Sequence, residues 1–277
     1  MEQFTFRQSA GLELLVCVAL ENQGFINAFT TRTGGTSSLP SKSLNLGNYS
    51  QDSISNITEN RRRLKEALRL ANCPLLTISQ IHSTDVQAVT SLNEVRPYLE
   101  SRPPTGDALM TCLTDHLIAV QTADCVPLLV GDRRTGATAA IHAGWRGTVK
   151  GIVTRTIAQM QGLLNVRPAD LMVAIGPAVG PCCFEVGSEV IDAFHQARGP
   201  IDPLFNFHQP NGRVNLNLRL ANRLQLLQSG VSDSSIYDCN LCTICQNDKF
   251  FSYRLERGAE RPVGRQMGLI SRWSGDE

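Results

Sequence analysis

Hydrophobic periodicity divides the chain into short strands and amphipathic helices. Residues 12–20 (Leu-Glu-Leu-Leu-Val-Cys-Val-Ala-Leu) and 25–31 are β-like runs around the turn signal Asn22-Gln-Gly24, which predicts an opening hairpin. The stretch 30–47 is polar and glycine-rich, and a loop of that length serves either as a lid or binding loop or as a surface excursion. Asn56-Ile-Thr-Glu59 has the form of an N-cap with a glutamate three residues on, opening a helix that carries Leu64, Leu68 and Ala71 at helical spacing. Arg61-Arg-Arg63 on it reads as a solvated face. Strands are predicted at 76–81, 86–90, 117–121, 127–130 and 137–142, with a turn at Arg102-Pro-Pro-Thr-Gly106.

Further on, 151–164 reads as a helix with Val153, Ile157, Met160 and Leu164 on one stripe, and Leu171-Met-Val-Ala-Ile175 as a strand. Helices follow at 188–198 (Val190, Phe194 and Ala197 inward) and 215–229 (Leu216, Leu220, Leu224, Leu227), the second ended by Gly230. Strands at 250–253 and 267–271 close the chain. No internal repeat, low-complexity tract or linker interrupts the pattern, so a single compact α/β domain over 1–277, with mixed β-sheets flanked by α-helices, is expected.

Composition narrows the function classes. Hydrophobic residues are 42% and charged residues 18% of 277, a globular balance with ample length for a core. The formal net charge is +1, which gives no electrostatic footprint for nucleic acid or a membrane surface. No apolar run approaches the roughly 20 residues of a bilayer helix. Met1-Glu-Gln-Phe-Thr-Phe-Arg7 lacks the order of a signal peptide, so a cytoplasmic protein with its nine cysteines reduced is expected.

The chemistry concentrates in 111–150. Cys125 in Gln121-Thr-Ala-Asp-Cys125 and His142 in Ala140-Ile-His-Ala-Gly-Trp-Arg-Gly147 each end a short apolar run, and His82 in Gln80-Ile-His-Ser-Thr-Asp85 ends another. Two imidazoles and one thiolate make a three-ligand zinc site with a fourth position open, the pattern of catalytic rather than structural zinc. Such zinc makes hydroxide available near neutral pH. The same atoms also suit a cysteine nucleophile with a histidine base, or ordinary strand-end packing. Asp85, Asp107 and Asp124 are candidates to orient an imidazole, or simply turn caps. Arg146, between Gly144 and Gly147, suits a phosphate or carboxylate, with the N-terminal amides of helix 151–164 close behind. Cys239-Asn-Leu-Cys-Thr-Ile-Cys245 has the spacing of a metal-cluster ligand set but lacks a fourth thiol, which Cys182-Cys183 would have to supply in space. The Gly/Pro-rich stretch 175–185 lacks the G-x-G-x-x-G order and is expected to shape a pocket wall.

Taken together, these motifs resemble the multicopper polyphenol oxidoreductase (laccase) domain family of the YfiH type, which includes purine nucleoside phosphorylases of the FAMIN type. The matching stretches are Thr31-Arg-Thr-Gly-Gly35, Ser43-Leu-Asn-Leu-Gly47, Gln80-Ile-His82, Gly106-Asp-Ala-Leu-Met-Thr111, Thr122-Ala-Asp-Cys125, His142-Ala-Gly-Trp-Arg-Gly147, Ala174-Ile-Gly-Pro177, Cys183-Phe-Glu-Val186, Cys242-Thr243 and Phe250-Phe-Ser-Tyr-Arg254. The resemblance implies a YfiH/laccase-like α/β fold and zinc on His82, Cys125 and His142, with Cu2+ as an alternative occupant. The expected catalytic residues are Cys125, His82, His142 and Arg146, with Asp124 or Asp85 as the proton carrier, and Arg32, Asn45 and Arg146 are expected to bind substrate. The implied reactions are phosphorolysis of adenosine, inosine and S-methyl-5′-thioadenosine, and adenosine deamination. Departures are Leu255, where many relatives carry a second arginine, and a long 256–262 before Gly264-Arg-Gln266. Alternatives to carry forward are a cysteine hydrolase or amidase using Cys125 with His82 or His142, a binding protein, and a copper-dependent polyphenol oxidase. The last is poorly served by five histidines, of which His116, His195 and His208 fall in helix flanks or loops.

Overall fold

The computed structural model describes residues 3–38, 43–47, 52–100, 102–198, 202–206, 213–257 and 263–274. Strands and helices are numbered in chain order. The first sheet holds β1 (Phe4–Ser9), β2 (Leu12–Cys17), β3 (Phe25–Thr30), β5 (Leu75–Leu76), β8 (Leu117–Thr122) and β16 (Gln266–Arg272), in the order β1-β2-β3-β16-β8-β5. The second holds β6 (Val86–Val89), β7 (Ala108–Thr111), β9 (Val126–Asp132), β10 (Thr138–Ala143), β11 (Leu171–Ile175) and β15 (Ile236–Asp238), in the order β15-β11-β9-β10-β7-β6. Both are mixed: β5 runs parallel to β8, β6 to β7 and β15 to β11, while the remaining neighbours are antiparallel. A small third sheet joins β12 (Glu185–Val186), β13 (Phe205–Asn206) and β14 (Val214–Leu216). Short β4 (Thr33–Ser37) packs on the first long helix.

The two large sheets lie face to face. Alternation along each strand sends one set of side chains into the space between them and the other outward. On β9, Leu129 joins the inter-sheet core with Phe25, Phe29, Ile118 and Ile270, while Leu128 and Val130 face the other way. That outer face is covered by α4 (Ile152–Leu164), α5 (Ser188–Arg198) and α6 (Leu218–Gln228). The outer face of the first sheet, through Leu14, Ala28, Ala119 and Leu269, is covered by α2 (Ile54–Ala67). Because both faces of the central strands are buried, β7, β9, β10 and β11 are buried along their whole length, and their apolar residues run consecutively rather than alternating. Short helices α1 (Val18–Glu21), α3 (Trp145–Val149) and α7 (Tyr253–Glu256) complete the chain.

Several expectations are corrected. The predicted runs 12–20 and 25–31 do pair antiparallel, as β2 and β3, but a β1–β2 hairpin turning at Ala10 and Gly11 with φ 46° and 78° precedes them, and the first run ends as strand at Cys17 and continues as α1. The N-cap of α2 is Ser53, whose hydroxyl accepts from Asn56 N–H at 3.1 Å, and not Asn56. No strand forms at 250–253. Gln266 occupies the backbone of Phe251 instead, its Oε1 accepting the N–H at 2.7 Å and its Nε2 donating to the carbonyl at 3.2 Å, and Ser252 then caps α7. Residues 39–42 of the predicted long loop, 258–262 of the late loop and His208 lie outside the described residues.

Phe29, 1% exposed, fixes the distance between the sheets, because a Cβ on Gly176 would sit 2.2 Å from its ring and one on Gly268 3.1 Å. Phe29→Ala should cost about 3–5 kcal/mol and Gly176→Ala about 1–3 kcal/mol in urea unfolding. The double variant should cost less than the sum, because the added methyl enters the space the ring leaves. Strict additivity would show that the two do not share a contact.

Candidate metal centre and cavity

The site is assembled around one carboxylate. Asp107, fully buried just before β7, accepts hydrogen bonds from the backbone N–H groups of Ile81 (3.2 Å), His82 (3.0 Å) and Ser83 (2.6 Å), and from the Ser83 hydroxyl (2.9 Å). Those bonds hold His82 in the left-handed region, at φ 58°, where a non-glycine residue is uncommon. The same carboxylate accepts from His142 Nδ1 at 2.8 Å. That fixes the imidazole tautomer and leaves Nε2 facing the cavity.

Cys125 reaches the same place from the passage between β8 in the first sheet and β9 in the second. Asp124, before it, has φ 90°, and its carboxylate is tied on both oxygens, to the Thr243 hydroxyl (2.6 Å) and the Arg254 N–H (2.6 Å). Cys125 Sγ lies 3.9 Å from His82 Nε2, and the two imidazoles meet edge-on with centroids 4.9 Å apart. Gly144 permits this approach: a Cβ there would stand 2.9 Å from His82 Cδ2 and 3.1 Å from Cys125 Sγ.

The electrostatics follow from these contacts. Burial opposes ionisation of Cys125, but the His142 and His82 imidazoles outweigh it and lower the thiol to about 6. Burial disfavours a charged His142, but the Cys125 thiolate and the Asp107 carboxylate raise it to about 9. Asp107, despite burial, is held at about 2 by His142 and the Ser83 donors.

One ligand atom from each of His82, Cys125 and His142 lies within 4.8 Å of the others. A tetrahedral zinc, with bonds of about 2.0–2.1 Å to nitrogen and 2.3 Å to sulfur, joins donors so spaced. The donor set fits: two imidazoles, one half-buried thiol inclined to ionise, and a carboxylate behind one imidazole.

The trio opens into a cavity of about 590 Å³, also lined by Gln80, Gln121, Arg146, Tyr253 and Arg265. Its volume falls in the range of roughly 300–1,000 Å³ typical of small-molecule sites. A second cavity of about 250 Å³ shares His82, Cys125, Arg146 and Tyr253 and adds Asp124, Trp145 and Phe184. Gln80 is fixed by exchanging hydrogen bonds with the Gln121 backbone, at 2.7 and 2.8 Å. Arg146 stands on α3, stacked on Trp145 at 4.4 Å, so the helix adjoining it is α3 and not the predicted 151–164.

The other expected residues are placed as follows. Arg32 is 6% exposed and away from both cavities, donating to the Asn247 carbonyl and Glu256 and stacking on Phe251. Asn45 is fully buried and accepts the Arg265 and Gly47 N–H groups while donating to Asp52. Their polar groups are taken up holding Arg265 and the segment carrying Tyr253, which places them behind the lining rather than in it. Asp85 stands outside both cavities, offering its backbone carbonyl to the N–H groups of Asp107 and Ala108. His116 is half-buried and His195 exposed, and neither lines either cavity. Cys239 packs against the inter-sheet core, whereas Cys242 and Cys245 join Cys182 and Cys183 elsewhere. Sequence reasoning missed Gln80, Gln121, Tyr253 and Arg265 as lining residues. The Gly264-Arg-Gln266 motif was the one signal for Arg265.

The chain is similar to several known proteins along nearly its whole length. A purine nucleoside phosphorylase named YlmD from Geobacillus stearothermophilus is 37% identical over 261 residues, covering 93% of this chain and 94% of that protein. The Escherichia coli protein named purine nucleoside phosphorylase YfiH is 33% identical over 248 residues, 90% of this chain and 94% of its own. Human LACC1, also named a purine nucleoside phosphorylase, is 34% identical over 89% of this chain and 55% of its own. The crystal structure of the G. stearothermophilus YlmD superposes with a TM-score of 0.86 at 35% identity, over 97% of this chain and 98% of that one. The family model described as multi-copper polyphenol oxidoreductase laccase matches residues 26–273, and the chain belongs to that family.

Proposed function

We propose that the chain is a zinc-dependent purine nucleoside phosphorylase acting on adenosine, inosine and S-methyl-5′-thioadenosine, with adenosine deamination as a second activity. The observation that carries this reading is the convergence of His82, Cys125 and His142 on a cavity that also holds Arg146 and Arg265. The naming of its relatives as purine nucleoside phosphorylases supports the substrate class.

In phosphorolysis, a phosphate oxygen attacks the anomeric carbon of the ribose, the bond to the purine nitrogen breaks, and the purine leaves with a proton. The guanidinium groups of Arg146 and Arg265 hold the phosphate and offset its charge as it approaches the sugar. Tyr253 offers a ring face to the base, and Gln80 and Gln121 supply amide donors and acceptors along the wall. His82, Cys125 and His142 would hold the zinc, which when bound would supply Lewis acidity at neutral pH. Asp107 keeps both histidines oriented for that ion. Asp124 acts by position: with both oxygens engaged it fixes the turn that presents Cys125 and draws the Tyr253–Arg254 segment to the cavity. Arg32 and Asn45 support the same wall from behind.

A second reading rests on a separate observation. The lowered thiol of Cys125 beside the raised imidazole of His142 is the thiolate–imidazolium pair of a cysteine hydrolase. Metal analysis separates the two. Activity that disappears with zinc on chelation and returns with it supports the phosphorylase. A metal-free enzyme that hydrolyses amides and is silenced by alkylation of Cys125 supports the hydrolase.

Incubated with adenosine and phosphate, the zinc-loaded protein should yield adenine, ribose 1-phosphate and inosine, resolved by chromatography. Absence of all three defeats the proposal. His82→Ala should lose zinc at this centre and both activities while keeping its far-ultraviolet circular dichroism. Asp107→Asn should weaken zinc binding at this centre by about 10–100-fold, the usual effect of losing an outer-shell partner. Unchanged affinity in a chelator competition would remove the positioning role given to Asp107.

A further inference from the structure

Four of the nine cysteines meet away from the cavity. Cys182 and Cys183 lie on the turn after β11, and Cys242 and Cys245 on the turn run after β15. Their sulfurs all fall within 4.8 Å of one another, with Cys182–Cys245 at 3.6 Å and Cys183–Cys245 at 3.5 Å. A tetrahedral ion with bonds of about 2.3 Å to sulfur holds its ligands about 3.8 Å apart, so these distances are close to the edges of one coordination tetrahedron. In a four-iron cluster each cysteine binds its own iron, and in a two-iron cluster two cysteines share each iron, so either spreads the four sulfurs wider than a single ion does.

The surroundings suit a thiolate centre. Gly180 N–H donates to Cys242 Sγ at 3.2 Å. A Cβ on Gly180 would press on Cys182 Sγ and Cys242 Cβ, both at 3.1 Å, so glycine is what lets the two turns close.

We propose that Cys182, Cys183, Cys242 and Cys245 bind one zinc ion in a closed, all-thiolate site separate from the His82–Cys125–His142 centre. Four protein ligands leave no open position, so this zinc is structural. It staples two loops that already touch: Ala178 N–H donates to the Leu241 carbonyl (3.3 Å) and Thr243 N–H to the Ala178 carbonyl (3.1 Å). Both loops grip Asp124, through the Val179 N–H on its carbonyl (2.9 Å) and the Thr243 hydroxyl on its carboxylate (2.6 Å). The staple therefore stiffens the wall from which Cys125 reaches the cavity.

Elemental analysis of the protein purified under reducing conditions tests this. About two zinc equivalents per chain are expected, and about one in either Cys245→Ser or His82→Ala. Cobalt-reconstituted His82→Ala should display the intense thiolate charge-transfer and tetrahedral ligand-field bands of a four-sulfur site. Equal metal content in the native protein and Cys245→Ser would overturn the proposal, as would iron in place of zinc. Should Cys245→Ser fail to fold, alkylation of the native protein decides. Cys182 and Cys245, both exposed, should resist iodoacetamide until a chelator is added. Equal labelling with and without the chelator, or a disulfide among the four in non-reducing peptide maps, would overturn it.

Discussion

The carboxylate of Asp107 is the constraint on which the metal centre depends. It is wholly buried, yet its oxygens are satisfied by three backbone amides, one hydroxyl and one imidazole. A buried charge so bonded is tolerable, whereas removing it strands several buried donors, each costing about 1–3 kcal/mol. Its backbone bonds hold the 81–83 segment in a conformation His82 would not adopt alone, and its imidazole bond sets His142. Both histidines thus share one anchor, and their relative position is settled by a single residue on the edge of β7. A donor pair fixed that way is preorganised for one ion and need not reorganise when the ion binds.

Cys125 is placed by topology. The chain leaves the first sheet at Thr122 and enters the second at Val126, and the thiol sits in the passage between them. Crossing so tightly requires the positive φ of Asp124, a local strain that persists because Thr243, Arg254 and Val179 hold the residue from three sides. The inter-sheet core beneath, with Phe29 filling the room left by Gly176 and Gly268, sets how far apart the two ends of that passage lie. Sheet packing is thereby converted into ligand geometry.

Much of this was legible in the sequence, and the rest was hidden for physical reasons. Strands buried on both faces appear as unbroken apolar runs, which is why 117–121, 127–130, 137–142 and 171–175 match β8 to β11 closely. Strand order left no trace, because a buried face looks alike whichever neighbour covers it. The β1–β2 turn escaped because Ala10 carries no turn signal, and 250–253 misled because the Gln266 side chain supplies the bonds a partner strand would. Arg32 and Asn45 have the composition of ligand-binding residues, and only burial reveals that their polar groups are spent on neighbouring loops. The His82–Cys125–His142 trio was nameable because each member ended an apolar run, whereas Cys239, at the right spacing from Cys242, is turned into the core.

The two metal-ligand groups differ in a way that assigns them different work. At the cavity, three donors of two kinds face open space beside two arginines, and the neighbouring imidazoles lower the thiol. At the outer cluster, four donors of one kind face each other, and backbone amides are the groups that favour ionisation. An open, mixed set admits a substrate and a closed, uniform set excludes one. Thr243 links them, one residue from Cys242 and bonded to Asp124, itself one residue from Cys125. A zinc on the outer cluster would thus limit how far the strained turn at Asp124 relaxes and keep Cys125 where the cavity needs it.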